Sequence, residues 1–104
     1  MSWVRVASSD DVGTEEIIGV QAAGREIAIC RLDDGVVYAT DGICSHGAAL
    51  LAEGWLEDGC IECPLHAGRF DVRTGKAMCA PLETDIQTFA VREEAGEILV
   101  ELED

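Results

Sequence analysis

Both histidines of this 104-residue chain follow a cysteine at short range. One residue separates Cys44 from His46, and two residues separate Cys63 from His66. Each segment therefore offers one thiolate and one imidazole, which are common ligands of transition metals in proteins. A hairpin in the intervening chain would bring the two segments side by side, with two sulfurs and two nitrogens around one site. Four ligands of this kind predict a metal centre.

The mixed composition of each segment bears on which metal is bound. A structural zinc site usually takes two cysteines from one segment and two histidines from the other, or two pairs of cysteines. Here each segment supplies one ligand of each type, which suits a two-iron cluster whose cysteines hold one iron and whose histidines hold the other. A zinc site and a pair of buried polar loops without metal remain as alternatives.

Three further cysteines, Cys30, Cys60 and Cys79, bring the total to five. An odd number of cysteines is typical of metal ligands and buried thiols in a reducing compartment, where disulfides are less expected. Cys60 and Cys63 form a Cys-x2-Cys pattern, but Cys63 is already assigned to the candidate site. We therefore expect Cys30, Cys60 and Cys79 to pack as small hydrophobic residues.

Charge and hydropathy limit the location and the partners. The first ten residues lack the apolar stretch of a secretory signal peptide, and no window approaches the roughly 20 apolar residues of a spanning helix. These features predict a cytoplasmic protein with no membrane partner. Seven Lys and Arg residues against 21 Asp and Glu residues give a net charge of −14, which argues against nucleic acid or an anionic membrane as partner and leaves basic or cationic partner surfaces open.

The chain contains only two histidines, and both belong to the candidate site. A mononuclear iron that activates oxygen is typically held by two histidines and a carboxylate. Because no histidine remains for such an iron, the chain is not expected to be an oxygenase.

The elements that position these ligands are predicted to be β-strands. No segment keeps a helical spacing of apolar residues for three turns, whereas short apolar or alternating runs recur between turn signals. Ile98, Val100 and Leu102 are predicted to lie on one face of the last strand, and Leu99, Glu101 and Glu103 on the other. The predicted strands are 3–7, 17–20, 26–32, 36–40, 86–92 and 97–102, and the predicted hairpin turns are 33–35, 58–59, 73–75 and 93–96.

The candidate ligands lie in a stretch of different texture, 41–75, which is rich in glycine and breaks the alternation. The length allows one domain. We therefore predict a single domain, 1–104. Trp55, Phe70 and Phe89 are expected to be core or loop-supporting residues.

Two stretches of the chain carry a family resemblance: 38–47, YATDGICSHG, and 62–81, ECPLHAGRFDVRTGKAMCAP. They resemble the Rieske-type [2Fe-2S] ferredoxins of bacterial aromatic-ring-hydroxylating dioxygenase systems, in particular the naphthalene and polycyclic-hydrocarbon branch. The resemblance implies a Rieske fold, with an antiparallel sandwich or barrel as base, formed by 1–40 and 76–104. It also implies that a small cluster-binding subdomain of two loops, 41–75, is inserted into this base. It also implies that Cys44 and Cys63 hold a buried iron of one [2Fe-2S] cluster, and that His46 and His66 hold the outer iron.

The function that this resemblance implies is one-electron transfer. Such a protein takes electrons from an NAD(P)H-dependent flavoprotein ferredoxin reductase and passes them to a terminal oxygenase, so it is a component of the system and not the catalyst. Two alternatives stay open. One is the small Rieske-like subunit of an assimilatory nitrite reductase, and the other is a zinc-stabilised interaction module.

The chain departs from the related quinol-oxidising Rieske proteins at positions that affect the redox potential. Those proteins join the ligand loops by a disulfide, where this chain has Ala49 and Leu65. They also place a serine and a tyrosine hydroxyl near the cluster, where this chain has Gly68 and Phe70. Fewer hydrogen-bond donors lower the potential, so the resemblance predicts the low end of the Rieske range, which spans about −150 to +300 mV.

Overall fold

The described part of the chain folds almost entirely into β-strands. The computed structural model describes residues 2–44, 49–64, 68–78 and 84–102, and within these ranges it contains strands, two short 3₁₀ turns and loops. The all-β prediction is confirmed. The strands are β1 Ser2–Ser8, β2 Glu16–Ala22, β3 Arg25–Arg31, β4 Val37–Asp41, β5 Trp55–Glu57, β6 Cys60–Glu62, β7 Arg69–Asp71, β8 Thr88–Phe89, β9 Val91–Glu94 and β10 Glu97–Leu102, and the 3₁₀ turns are Ser9–Asp11 and Leu51–Glu53.

The strands form three antiparallel sheets. The first sheet has the order β1-β10-β9, the second has the order β2-β3-β4-β8, and the third has the order β5-β6-β7. The third sheet falls wholly within the glycine-rich stretch 41–75, while the first two sheets are built from strands on either side of it. That 41–75 behaves as a subdomain of its own stays a prediction.

Tight turns join neighbouring strands of these sheets. Asp58 and Gly59 connect β5 to β6 with φ of 51° and 78°, and Ala95 and Gly96 connect β9 to β10 with φ of 52° and 76°. Positive φ at both central residues matches the right-handed twist of the flanking strands. The hairpin predicted at 58–59 is therefore confirmed. The C-terminal turn has two residues where a four-residue loop was expected, because β9 continues through Glu94.

The strand β3 lies at the centre of the molecule and is buried on both faces. Ile27 and Ile29 pack into a first core, between the first and second sheets, whereas Ala28 and Cys30 pack into a second core, towards the third sheet. This explains the unbroken apolar run of β3, since a strand covered on both faces has no solvent side. The first core comprises Ala7, Val12, Ile27, Ile29, Val37, Ala39, Ile98, Val100 and Leu102. The second core comprises Ala28, Cys30, Leu32, Cys44, Ala49, Leu51, Ile61, Cys63, Phe70, Val72 and Ile86.

The expected burial of the aromatic residues is only partly correct. Phe70 is fully buried in the second core, and Phe89 packs at the edge of the first core. Trp55, however, is 57% exposed, so the expectation of a core position is wrong for this residue, whereas a loop-supporting role stays a prediction. Trp55 stands on the face of β5 opposite to Leu56, which packs against the second core.

A guanidinium group connects the first two sheets. Arg31, at the end of β3, donates to both carboxylate oxygens of Glu93 in β9, at 3.0 and 2.6 Å. The same guanidinium donates to the backbone carbonyls of Ser9, Val12 and Gly35. The hydrogen bonds from Arg31 hold the pKa of the Glu93 carboxyl below its usual value. A bidentate pair that also satisfies three carbonyls is expected to contribute more than an exposed ion pair.

We expect the substitution Arg31→Lys to lower the free energy of unfolding by about 2 kcal/mol, because an ammonium group cannot replace the planar bidentate contact. Since the folded-state pKa of Glu93 is lowered, this stabilisation is present at neutral pH and is lost as the pH falls through that folded pKa. Urea denaturation followed by circular dichroism measures the change. Arg5→Lys is the matched control, because the exposed Arg5–Glu97 pair should contribute less than about 1 kcal/mol. Equal effects of the two substitutions would contradict the assignment.

No helix among the described residues is long and apolar enough to cross a lipid bilayer.

Candidate metal centre

The first pair of candidate ligands belongs to a loop at the end of β4, which we call the first arm (43–50). The backbone N–H of Cys44 donates to the carbonyl of Ala49 at 3.0 Å and thereby closes the loop. Ile43 and Leu50 form a bridge at its base. The arm is attached to the second sheet through Gly42, whose N–H donates to the carbonyl of Glu26 at 2.9 Å. Cys44 therefore starts a closed loop that is anchored to the base of the molecule.

The second pair belongs to a loop between β6 and β7, which we call the second arm (62–69). The N–H of Cys63 donates to the carbonyl of Gly68 at 2.7 Å, and Glu62 pairs with Arg69 at the base. In both arms the cysteine donates to the residue five positions later, and four residues lie between the two. The two arms are thus closed in the same way, although one joins a strand to a 3₁₀ turn and the other joins two strands.

The two cysteines lie in the same apolar surroundings. Cys44 is 3% exposed and Cys63 is 0% exposed, and both belong to the second core. Phe70, one of the largest fully buried side chains, packs in that same core. The residues predicted to supply sulfur are therefore brought together in a dry environment. A thiolate in such a place requires a compensating charge, and a bound metal supplies it.

The histidines lie outside the described residues. His46 belongs to 45–48 and His66 belongs to 65–67, which are the central parts of the two arms. Cys79 also lies outside the described residues. Among the residues that are described, no group of three or more His, Cys, Asp or Glu side chains could hold a metal ion. The structure therefore gives the surroundings of the two predicted cysteine ligands, Cys44 and Cys63.

The other described cysteines have different surroundings. Cys30 packs in the second core from β3, and burial raises the pKa of its thiol to about 12. It is therefore a neutral thiol at physiological pH, which agrees with the packing role that was predicted for it. Cys60 is half-buried and pairs with Asp71 of β7. Its predicted burial is therefore only partly correct.

A network of ion pairs braces the base of the second arm. The guanidinium of Arg69 donates to Glu62 at 3.1 Å and to Glu57 at 3.3 Å. These contacts cross all three strands of the third sheet, because the glutamates lie on β6 and β5. The hydrogen bond to Glu62 is the main cause of the raised pKa of Arg69. Arg69 is therefore neutralised locally and does not present a free positive charge beside the arm.

A close backbone approach brings the segment after the first arm next to the start of the second arm, and the sequence did not reveal it. Gly54 follows the 3₁₀ turn after the first arm, and a Cβ atom at this position would lie 1.8 Å from the carbonyl oxygen of Glu62. Glu62 immediately precedes Cys63. The absence of a side chain at Gly54 therefore lets the chain before β5 lie directly against the backbone at the start of the second arm. In the sequence, the glycine before the Trp55–Glu57 strand is the only trace of this contact.

We expect Gly54→Ala to displace β6 and to weaken metal retention, because atoms cannot remain at the separation that the added Cβ would impose. The predicted result is a protein with substoichiometric iron and a lower thermal midpoint. Iron analysis and thermal denaturation of the same preparation measure both effects. Gly24→Ala is the control, since its Cβ would meet no atom within 4 Å and only strain from positive φ is added. Full iron occupancy in Gly54→Ala would show that the contact does not matter.

Comparison with known proteins gives a consistent picture. The model of the Rieske [2Fe-2S] domain family matches residues 2–90. The ferredoxin component of the naphthalene 1,2-dioxygenase/salicylate 5-hydroxylase systems of a Ralstonia species is 46% identical over 102 residues, which cover 98% of this chain and 97% of that protein.

Solved structures agree with this match. The ferredoxin of carbazole 1,9a-dioxygenase from Nocardioides aromaticivorans superposes with a TM-score of 0.90 at 37% identity, over 96% of this chain and 97% of that chain. A chain in a complex of reduced oxygenase and oxidised ferredoxin of carbazole 1,9a-dioxygenase superposes with a TM-score of 0.87 at 36% identity, over 97% of each chain. Two chains with nitrite reductase small-subunit descriptions match at 20% and 23% identity, which shows a common fold alone. The all-β fold, the two buried cysteines that begin matched loops, and these similarities lead to one conclusion: the chain belongs to the Rieske [2Fe-2S] domain family.

Proposed function

We propose that this protein is the ferredoxin component of an aromatic-ring dioxygenase system. In this role it carries one electron at a time to a terminal oxygenase, and it is not itself the catalyst. The observation that carries the proposal is the pair of matched arms, each of which begins with a cysteine in the second core. The similarity to ferredoxin components extends over nearly the whole chain, which favours this role over that of a nitrite reductase subunit.

We further propose Cys44, Cys63, His46 and His66 as the ligands of one [2Fe-2S] cluster. The donor set fits the group: two thiols are buried in one apolar core, and each arm contains one histidine. When bound, such a cluster supplies reversible one-electron oxidation and reduction. The zinc alternative explains the ligand types less well, because each arm mixes sulfur and nitrogen.

The side chains of the protein would hold the redox group and keep water from its inner half. Leu51, Ile61 and Phe70 pack in the core that contains both cysteines, and each of them is fully buried. The N–H groups of Cys44 and Cys63 donate to loop carbonyls, so they keep the arms closed and are committed to that contact. A rigid, preformed site loses little energy to rearrangement when its charge changes, and this favours fast electron transfer.

The partners of the protein follow from this role. We propose a terminal oxygenase as the electron acceptor and an NAD(P)H-dependent flavoprotein reductase as the electron donor, both in the cytoplasm. Support for the acceptor comes from the similarity to a ferredoxin chain in a complex of oxygenase and ferredoxin. A carrier of single electrons needs a donor that can divide the hydride of NAD(P)H into two steps, and flavins do this.

A reconstitution experiment tests the proposed function. The purified protein should contain two iron atoms and two acid-labile sulfides per chain, as the formula of the cluster requires. After chemical reduction and removal of excess reductant, it should reoxidise rapidly when mixed with the oxygenase component of naphthalene 1,2-dioxygenase or carbazole 1,9a-dioxygenase, aromatic substrate and oxygen. Zinc in place of iron would contradict the proposal, as would reoxidation at the same rate with and without oxygenase.

The redox potential provides a separate prediction. We expect a midpoint below about +100 mV, in the lower part of the Rieske range. Gly68 has no side chain, Phe70 has no hydroxyl, and the N–H groups of Cys44 and Cys63 are already engaged, so none of these four described positions supplies such a donor to stabilise added negative charge. Voltammetry measures the midpoint, and Phe70→Tyr, which adds a hydroxyl, should raise it. A wild-type midpoint above that value would be incompatible with this explanation.

A further inference from the structure

The exposed apolar side chains are not spread evenly over the molecule. Five large hydrophobic residues of the described part are exposed, and four of them lie at the bases of the two arms. We call these four residues the arm collar: Ile43, Leu50, Trp55 and Met78. The fifth, Val36, lies in the turn between β3 and β4. Each arm thus has one pair of exposed apolar residues at its base. Neighbouring exposed apolar residues typically mark a binding surface, whereas scattered ones need no explanation.

The base of the first arm carries two members of the collar. Ile43 and Leu50 face each other across the bridge that precedes the Cys44–Ala49 pair. Successive residues of an extended segment point to opposite sides. Cys44 and Ala49 are buried, so Ile43 and Leu50 point outwards. The outer side of the first arm is therefore apolar next to the point where the loop begins.

The base of the second arm carries the other two. Trp55 pairs with Glu62, and the N–H of Met78 donates to the carbonyl of Arg69 at 2.8 Å. Glu62 also pairs with Arg69. One row of neighbouring residues therefore crosses the sheet in the order Trp55, Glu62, Arg69 and Met78. Residues opposite one another in antiparallel strands share a face. Trp55 and Met78 thus flank the second arm on its outer face.

The charges beside Trp55 are acidic. Glu53, Glu57 and Asp58 are exposed on the turn and strand next to it. Arg69 bonds to both Glu57 and Glu62, so this group of one cation and two anions carries a net negative charge. A partner that covers Trp55 must therefore offer basic side chains on that side.

We propose that the arm collar is the docking surface for the terminal oxygenase, which would place an apolar patch on it and basic side chains beside Trp55. The inference rests on the proposed function and adds which residues make the contact. Burial of Trp55 supplies most of the affinity, because large aromatic residues dominate the energetics of interfaces. The acidic residues orient the encounter and affect the association rate more than the affinity.

A comparison of Trp55→Thr with Val36→Thr tests this surface. Both substitutions replace an exposed apolar residue, 57% and 46% exposed, by a small polar one that suits β-structure. The oxygenase components of naphthalene 1,2-dioxygenase and carbazole 1,9a-dioxygenase serve as probes, and the one that accepts electrons faster from the wild type is used. We expect Trp55→Thr to raise both KM and the Kd from surface plasmon resonance about tenfold, with kcat at saturation retained. Val36→Thr should stay within about twofold of the wild type.

Further measurements separate the possible outcomes. The iron content and the visible spectrum of both variants should equal those of the wild type, and the effect of Trp55→Thr should persist at high salt, since apolar burial is not screened. An unchanged Kd for Trp55→Thr, or an equal loss for Val36→Thr, would overturn the collar. A wild-type dimer that Trp55→Thr dissociates without loss of oxygenase affinity would assign the surface to a second copy instead. If the wild type transfers electrons to neither oxygenase, the proposed function fails and not the collar alone.

Discussion

Replacing Cys63 by alanine is expected to give colourless protein that contains almost no iron or acid-labile sulfide and does not fold stably. Cys63 is fully buried in the second core beside Phe70 and Ile61, so its loss removes a proposed ligand from the interior. Energy from metal binding is also folding energy in small metalloproteins, and without it the free energy of unfolding falls to near zero. Cys44→Ala should behave in the same way. Metal analysis, the visible spectrum and circular dichroism measure the outcome.

Cys30→Ala is the matched control for this substitution. Cys30 lies in the same core and is also buried, so the chemical change is identical. Its loss should cost about 1 kcal/mol of stability, as for a small cavity, and should leave the iron content unchanged. A coloured, fully loaded Cys63→Ala protein would refute the ligand assignment. So would loss of iron in Cys30→Ala but not in Cys63→Ala.

Phe70→Ala is expected to lower the free energy of unfolding by about 3–5 kcal/mol, because it opens a large cavity in a packed core. A domain of this size has only about 5–15 kcal/mol in total, so the variant would be marginal. Phe70 belongs to the core that contains Cys44 and Cys63. Water that enters the cavity would reach the proposed cluster site, and the visible absorbance should bleach many times faster in air. Urea denaturation under anaerobic conditions and the bleaching half-life provide the two readouts.

Two controls separate packing from protection of the site. Phe70→Leu keeps most of the volume and should cost less than about 1.5 kcal/mol, with bleaching close to that of the wild type. Phe89→Ala removes an aromatic residue that packs against the first core, away from both cysteines. It should lower stability without faster bleaching at temperatures where the protein stays folded. Bleaching that tracks stability alone across all three variants would show that Phe70 has no special role at the site.

Much of the fold could be predicted from local patterns. Alternation in β10 correctly placed Ile98, Val100 and Leu102 on one face, which the structure shows to be buried, and the Asp58-Gly59 pair correctly predicted a hairpin. These features depend on neighbours along the chain, which the sequence contains directly. The burial of the aromatic residues was harder to predict, because the hydrophobicity of a residue does not show which face of its strand is covered. Trp55 lies on the outer face of the third sheet and is exposed.

The types of the candidate ligands, their spacing and the family of the chain could all be read from the sequence, and they led to the four proposed ligands. The folded chain was needed to show that Cys44 and Cys63 are buried in one core, that the same hydrogen bond closes both arms, and that Gly54 lies against Glu62. Ligand types are properties of single residues, whereas burial and close approach arise between residues that are not neighbours in the chain. The exposed arm collar also depends on the folded chain. Trp55 and Met78 come to lie at the two ends of one row of residues only when the strands of the third sheet have paired.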